Sequence, residues 1–251
     1  MRFLCLHGRG TNSKILEIQS GTDLSINGPP QKKKEFILTS NIAKIRDELN
    51  GHQFVFIDGM VATEASEEAA ALAETFYGYL PSRVNDVGEV QDAINALVDY
   101  VTMHGPFDGV LGFSEGAIMA ATLLVEDARN PFADFKCGIL FSSGLPLDPN
   151  LLRGGAMRCI DPDTDGVVIN VPTAIIVEEG LDRLRNLSPL APLLAQTGDF
   201  QQALVRICDQ SSCEVVWHNL GHKIPWSKST ELDATLRSIE RTISRAQELD
   251  S

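Results

Sequence analysis

The feature that most constrains the fold of this chain is a serine between two glycines, in the segment Gly112–Gly116 (GFSEG). The apolar run Phe107–Phe113 before it is typical of a buried strand, and Glu115–Asp127 after it has apolar residues at helical spacings of three and four. Ser114 would therefore lie on a tight, strained strand-to-helix turn, flanked by glycines because side chains there would collide with neighbouring backbone. The pattern G-x-S-x-G is common by chance, but this context predicts that Ser114 is a nucleophile. The alternative is a turn without chemistry.

The rest of the chain alternates short apolar runs with helical patterns, which predicts a mostly parallel sheet with helices on both faces. The other predicted strands are Arg2–His7, Gln53–Ile57, Cys137–Phe141, Val171–Val177 and Cys213–Trp217. The other predicted helices are Asn41–Asn50, Val90–Met103, Phe200–Asp209 and Ser227–Glu248. No repeat or linker divides the 251 residues, so we expect one α/β domain over residues 1–251, with the strand C-terminal ends sharing the ligand edge.

A serine hydroxyl needs a base, and the order of groups along the chain indicates which histidine supplies it. In the α/β-hydrolase fold the nucleophile comes first, the acid second and the histidine last. Only His218 and His222 are late enough, and we predict His222, in the loop NLGHKIP, because His218 would end a strand and is better explained as structural. The predicted acid is Asp182, which lies far enough past a predicted strand to reach the histidine from a loop. Glu178 and Glu179 remain alternatives for that role.

Two backbone N–H groups are predicted to stabilise the negative charge that develops on the attacked carbonyl oxygen. One belongs to Glu115, the residue after the nucleophile, at the N-terminus of the following helix. The other is expected from Arg9 in the loop His7–Gly10, because the glycines of that loop let the backbone approach a substrate closely. The alternative for this loop is a glycine-rich turn with no ligand role.

Two segments resist the strand and helix assignments, and both follow strand ends. The segment 22–40 is polar and contains two prolines, and the segment 58–86 contains Phe76, Tyr77 and Tyr79. Because strand C-terminal ends carry the ligand site in such folds, we expect both segments to border the substrate entrance as a possible lid. The three aromatic residues are the entrance candidates.

Charge and cysteine content argue against several other classes of function. The formal net charge of −13 disfavours binding to a nucleic acid or an anionic membrane, and no apolar run approaches the ~20 residues of a membrane span. The five cysteines are odd in number and include no C-x-x-C pair, and the N-terminus lacks a secretory pattern, so we expect a reduced, cytoplasmic protein. The acidic run Asp161–Gly166 resembles the start of a calcium loop without its final glutamate. We therefore expect no metal and no cofactor.

Four segments that follow one another along nearly the whole chain resemble the eukaryotic family of serine hydrolases (FSH type) within the α/β-hydrolases. They are FLCLHGRGTNS, HQFVFIDG, GPFDGVLGFSEGA and NLGHKIP. The resemblance implies Ser114 as nucleophile, Asp182 as acid and His222 as base. Three features depart from the family pattern. Glu115 stands where glutamine is commoner, the acid loop reads VEEGLD where members more often have a glycine three before the aspartate, and segment 22–40 looks longer than usual.

Fungal members of this family include thioesterases that release polyketide chains from the acyl carrier protein of a synthase, as in lovastatin-type pathways, and others resemble short-chain carboxylesterases. The resemblance therefore implies acyl transfer from a small-molecule ester or thioester, with an acyl carrier protein of a polyketide synthase as the suggested partner. The leading hypothesis is a thioesterase that releases the chain by hydrolysis or lactonisation. The alternatives are a carboxylesterase on small free esters and a non-catalytic binding protein on the same fold. Arg9 and Lys32–Lys34 are the candidates for attracting an acidic carrier.

Overall fold

The computed structural model describes residues 1–20, 44–82, 84, 86–179, 190–194, 199–225 and 230–249. Its strands are β1 (Arg2–Leu6), β2 (Gln53–Ile57), β3 (Val61–Ala62), β4 (Tyr77–Gly78), β5 (Gly109–Phe113), β6 (Cys137–Phe141), β7 (Thr173–Glu178) and β8 (Cys213–His218). Within the described residues, six of them form a wholly parallel sheet in the order β2-β1-β5-β6-β7-β8. The other two, β3 and β4, pair as an antiparallel hairpin.

The six strands of the main sheet confirm the strand predictions and the α/β fold class. Strands β5, β6 and β7 are buried along their whole length, as parallel strands between two helical layers must be. Burial on both faces explains why β5 and β6 are apolar throughout, and β7 from Ala174 to Val177, instead of alternating. Strand β7 continues one position past its predicted end, to Glu178, and this difference matters at the site described below.

Helices cover both faces of the sheet, as predicted. They are α1 (Ser13–Ser20), α2 (Lys44–Glu48), α3 (Val87–His104), α4 (Glu115–Arg129), α5 (Pro149–Arg153), α6 (Pro162–Asp165), α7 (Ala191–Leu194), α8 (Phe200–Arg206) and α9 (Thr230–Leu249). Successive side chains of a strand point to opposite faces, so Leu4 and Leu6 of β1 pack with α3 and α4, whereas Phe3 and Cys5 pack with α1, α2 and α9. Among the described helices, none has the length and apolar character needed to cross a membrane.

Helix ends differ from the predictions where local capping decides them. Helix α3 begins at Val87 instead of Val90, because the side chain of Asp86 accepts a hydrogen bond from the N–H of Gly88 and so stabilises an earlier start. Helix α8 ends at Arg206, before the predicted Asp209. Residues 41–43 and 227–229, which belong to two predicted helices, lie outside the described residues.

The hairpin of β3 and β4 lies within the segment 58–86, for which the sequence indicated no strand. It is attached to the loop after β1, since Gly10 N–H donates to Tyr77 O at 3.0 Å and Tyr77 N–H donates to Thr11 O at 2.7 Å. This pairing holds the hairpin beside the C-terminal end of β1. The segment therefore lies at the edge of the sheet where the predicted site residues also gather.

Candidate active site

Ser114 occupies the turn between the end of β5 and the start of α4, with backbone angles φ 57° and ψ −119°. A non-glycine residue at positive φ costs about 1–3 kcal/mol and persists only where its surroundings hold it. Here the N–H of Ser114 donates to Phe141 O of β6 at 2.9 Å, and the carbonyl of Ser114 accepts from the N–H groups of Ala117 and Ile118 at 3.0 and 3.1 Å. The structure thus confirms the strained strand-to-helix turn that the sequence predicted.

The glycines around Ser114 are required by close backbone contacts. A Cβ on Gly112 would lie 2.4 Å from the carbonyl oxygen of Gly116, and a Cβ on Gly116 would lie 2.3 Å from the carbonyl oxygen of Leu6. On the other side of the turn, a Cβ on Gly8 would lie 3.3 Å from the Cβ of Ser114. The loop after β1 therefore lies against the serine turn, with little space for a side chain at position 8.

His222 lies in the loop after β8, with its Nε2 2.8 Å from the hydroxyl oxygen of Ser114. The Ser114 hydroxyl makes no capping hydrogen bond to α4, although its residue occupies the N-cap position, so it is available to the histidine. The imidazole packs against the Phe113 ring at 5.1 Å, and only 12% of the side chain is exposed. The two residues predicted as nucleophile and base are therefore within hydrogen-bonding distance of each other.

The second nitrogen of His222 contacts a carboxylate from the neighbouring strand. Nδ1 lies 3.0 Å from Oε1 of Glu178, the last residue of β7, whose side chain is 5% exposed. When Nδ1 carries the proton and donates it to Glu178, Nε2 is left free to accept the proton of Ser114. This is the arrangement by which a carboxylate fixes the tautomer and the orientation of a catalytic imidazole.

The predicted acid, Asp182, lies outside the described residues. Of the two alternatives, Glu178 contacts the imidazole, whereas Glu179 is exposed and its N–H donates to His218 O at 2.7 Å. The sequence interpretation favoured Asp182 because it lies far enough past the predicted strand to reach the histidine from a loop; in the structure the strand continues one position further, to Glu178. A glutamate side chain is one methylene longer than an aspartate and reaches the histidine directly from the strand end.

His218 has the structural character that the sequence suggested. It ends β8, is buried, and its Nδ1 accepts a hydrogen bond from the N–H of Leu220 at 3.3 Å. Burial lowers the pKa of His218 and so favours its neutral form.

His7 supports the loop that follows β1 from within the core. Its Nε2 accepts a hydrogen bond from the N–H of Gly59 at 2.9 Å, so the ring proton is on Nδ1, which donates to Gly8 O at 2.7 Å. The hydroxyl of Thr11 also donates to Gly8 O, at 2.6 Å. Burial lowers the pKa of His7, and the neutral ring fits its role as acceptor for Gly59.

Arg9 and Glu115, the residues from which backbone donors were predicted, are joined through their side chains. Nη1 of Arg9 lies 3.1 Å from Oε2 of Glu115. Burial raises the pKa of Glu115, and the opposing influence of the Arg9 charge lowers it. The sequence identified the unusual carboxylate but not its partner, because the two residues are 106 positions apart and no local pattern links them.

The three aromatic residues predicted at the entrance differ in their surroundings. Phe76 and Tyr77 are half-buried, and Tyr77 pairs with the loop after β1. Tyr79 is buried, and its hydroxyl accepts from the N–H of His7 and donates to Ile57 O, both at 3.1 Å. The other predicted entrance segment, 22–40, lies outside the described residues.

A cavity of about 710 Å³ lies between the end of β2 and helix α3. Its lining includes Ile57, Tyr79 and Leu97 but neither Ser114 nor His222. The Tyr79 side chain thus lies between this cavity and the loop that carries His7.

Comparison with known proteins identifies the family and the fold of this chain. The chain matches the protein family described as "Serine hydrolase (FSH1)" over residues 1–177. Esterase FPY3 of Fusarium mangiferae is 28% identical over 250 residues, which cover 98% of each chain. Hydrolase phiM of Talaromyces stipitatus is 31% identical over 164 residues, which cover 60% of this chain and 58% of that protein. The solved structure described as "Structure of YahD with Malic acid" superposes on this chain with a TM-score of 0.51 at 15% identity. The superposition covers 96% of this chain and 93% of the other, and it shows that the two proteins share a fold.

Proposed function

Because this chain belongs to the FSH1 family of serine hydrolases, we propose that Ser114 attacks the carbonyl carbon of an ester or thioester. His222 acts as the general base, and Glu178 orients its imidazole. The observation that carries this proposal is the unbroken chain of contacts from Ser114 Oγ to His222 Nε2 at 2.8 Å and from His222 Nδ1 to Glu178 Oε1 at 3.0 Å. Asp182, the acid that the sequence favours, is the competing assignment for the orienting role.

In the first half of the reaction, Nε2 of His222 takes the hydroxyl proton as Ser114 Oγ bonds to the carbonyl carbon. The carbonyl oxygen becomes an oxyanion, which the backbone N–H groups of Arg9 and Glu115 stabilise in our proposal. Glu115 suits this role because it is the first residue of α4, where an N–H has no acceptor within the helix. The close approach of Gly8 to Ser114 supports Arg9 as the second donor.

Collapse of this intermediate expels the alcohol or thiol, which takes the proton from His222, and leaves an acyl group on Ser114. In the second half, His222 removes a proton from water, or from a hydroxyl of the acyl chain itself, and the new nucleophile displaces Ser114. Water gives a free acid, whereas an internal hydroxyl gives a lactone. We propose that the half-buried Phe76 and Tyr77 border the path by which the acyl chain enters, and their attachment to the loop after β1 supports this.

For the leaving group, we propose a thiol, as in an acyl chain carried on the phosphopantetheine arm of a carrier protein. This finer assignment rests on the resemblance of the four sequence segments to polyketide-releasing thioesterases. The second candidate is a carboxylesterase on small oxygen esters, and the name of Esterase FPY3, which matches this chain over 98% of its length, favours it. Both candidates use the same three side chains.

The chemistry is tested with Ser114→Ala and a fluorophosphonate probe. The variant should stay folded and lose several orders of magnitude in turnover, since loss of a serine nucleophile costs about 10⁶-fold in a comparable triad. The probe should label the wild-type protein at Ser114 and leave the variant unlabelled. Undiminished turnover by Ser114→Ala would overturn the proposal.

A further inference from the structure

We propose that the ion pair between the side chains of Arg9 and Glu115 is a brace that fixes the spacing of the two oxyanion donors. Both side chains are then positioning groups, which hold the backbone N–H groups of their own residues in place and balance each other's charge. This inference rests on the proposed function, because it assigns those two N–H groups to the transition state.

The brace joins two elements that no other described side-chain ion pair connects. Arg9 lies in the loop after β1, and Glu115 opens helix α4, so each residue follows a different strand of the sheet. Their charged groups meet at 3.1 Å, where the Glu115 side chain is 2% exposed and the Arg9 side chain 19% exposed. A pair that is so well shielded from water is weakly screened, and its geometry restrains both backbones.

The other hydrogen bonds of Arg9 and Glu115 are made to one stretch of the chain that follows β4. Oε1 of Glu115 accepts from the N–H groups of Tyr79 and Leu80 at 2.6 and 3.3 Å. Arg9 donates through Nη1 to Leu80 O at 2.8 Å and through Nη2 to the hydroxyl of Ser82 at 2.8 Å. These bonds to the same stretch add to the restraint that the direct contact of the two side chains provides.

Gly78 shows how closely this stretch approaches the pair. A Cβ at Gly78 would lie 2.8 Å from Oε1 of Glu115 and 3.0 Å from Nη1 of Arg9. The hairpin thus lies directly against the charged ends of both side chains at this position.

The brace also compensates the negative charge that Glu115 brings to the site. A carboxylate next to a developing oxyanion would oppose the reaction, but the guanidinium of Arg9 compensates its charge. Without Arg9, the burial that already raises the pKa of Glu115 would act unopposed by that charge. The carboxylate also accepts from the backbone N–H of Tyr79. Burial raises the pKa of the Tyr79 hydroxyl well above 10, so this nearby group is neutral in any ordinary assay.

The test is a double-mutant cycle with Arg9→Met, Glu115→Gln and the double variant. We measure kcat, KM and affinity for a boronic acid that forms a tetrahedral adduct on the serine. Glu115→Gln keeps an acceptor for Tyr79 and Leu80, so it should stay folded and lower kcat about 3–10-fold, whereas Arg9→Met should lower it about 10–100-fold. KM should change little, and boronate affinity should fall in parallel with kcat. The double variant should be no worse than Arg9→Met, because both changes remove one interaction.

A pH profile separates positioning from mere stability. In Arg9→Met, ionisation of Glu115 as the pH rises places an uncompensated charge beside the oxyanion, so kcat should fall on the alkaline side. The double variant lacks that carboxylate and should not show the fall. The matched control is Glu126→Gln. Glu126 lies in the same helix as Glu115, at the end away from Ser114, and it forms an ion pair of 2.8 Å with Arg153 that this change would break. The control should leave kcat and the profile unchanged.

Two outcomes would overturn the brace. If Ser114→Ala is inactive but Arg9→Met and Glu115→Gln match Glu126→Gln in kcat and boronate affinity, the brace is wrong and the proposed function stands. If Ser114→Ala retains full turnover, the brace falls together with the proposed function. Thermal unfolding of every variant identifies any that lose activity by losing the fold.

Discussion

Glu178 and His218 face each other as register partners at the C-terminal ends of β7 and β8. After His218 the chain turns through Gly221, at φ +72°, and brings the His222 imidazole back to the Glu178 carboxylate. The carboxylate and the loop that carries the imidazole therefore both start from hydrogen-bonded neighbouring strands. The contact between His222 and Glu178 thus rests on two paired strand ends, and this supports Glu178 in the orienting role that we propose.

The first prediction concerns that carboxylate. Glu178→Gln should preserve the fold but favour the wrong tautomer of His222, with a fall in kcat of up to ~10⁴-fold. Asp182→Asn should have a small effect, and Glu179→Gln is the matched control, because it neutralises an exposed carboxylate next to Glu178. Steady-state kinetics of the three variants decide between the two interpretations. A large fall in kcat for Asp182→Asn, together with a small fall for Glu178→Gln, would instead establish Asp182 as the acid.

The second prediction concerns the glycine after the serine turn. Gly116→Ala would place a Cβ 2.3 Å from Leu6 O, so β1 and α4 would have to separate. Overpacking of this kind typically costs about 1–3 kcal/mol of unfolding free energy, and more where the obstacle is backbone. Gly154→Ala is the control, because its nearest contact, Leu151 O, is 3.3 Å away. Urea unfolding should show a lower midpoint for Gly116→Ala alone, and equal midpoints would contradict the close approach.

The sequence was sufficient for those parts of the molecule that depend on local patterns. Apolar runs predicted the strands, and the strand-helix context of Ser114 predicted its turn. The contact of Glu178 with His222 was harder to predict, since a shift of one residue at the end of β7 decides whether a carboxylate belongs to the strand or to the loop. The Arg9–Glu115 pair was out of reach, because only the parallel pairing of β1 with β5 brings the segments after these strands together.

The third prediction is a pH dependence of stability that comes from His7. Burial lowers the pKa of His7 in the folded state, whereas an unfolded histidine titrates near 6.5. As the pH falls through about 6.5, the unfolded chain binds a proton that the folded chain does not, so the free energy of unfolding decreases. His7→Gln removes this group and retains a side-chain acceptor for Gly59. Its stability should therefore decline less than that of the wild type between pH 7 and 5.

Urea unfolding at several pH values measures this difference. His52 and His218, whose pKa values are also lowered by burial, should maintain part of the pH dependence in the His7→Gln variant. Identical slopes of unfolding free energy against pH in the two proteins would show that His7 does not contribute.

The last prediction separates a thioesterase from a carboxylesterase. Arg9 was one candidate for attracting an acidic carrier, but its charge is compensated by Glu115, so steering falls to Lys32–Lys34, which lie outside the described residues. The assay compares three substrates with the same acyl chain: a thioester of a carrier protein, a thioester of N-acetylcysteamine and an ester of a simple alcohol. We expect kcat/KM to be highest for the substrate on the carrier protein. Reversing the charge of Lys32–Lys34 should weaken only the carrier-bound reaction, and added salt should shrink the advantage, because a net charge of −13 otherwise repels an acidic partner. Equal or better turnover of the alcohol ester, with no effect of the carrier, would instead establish the carboxylesterase.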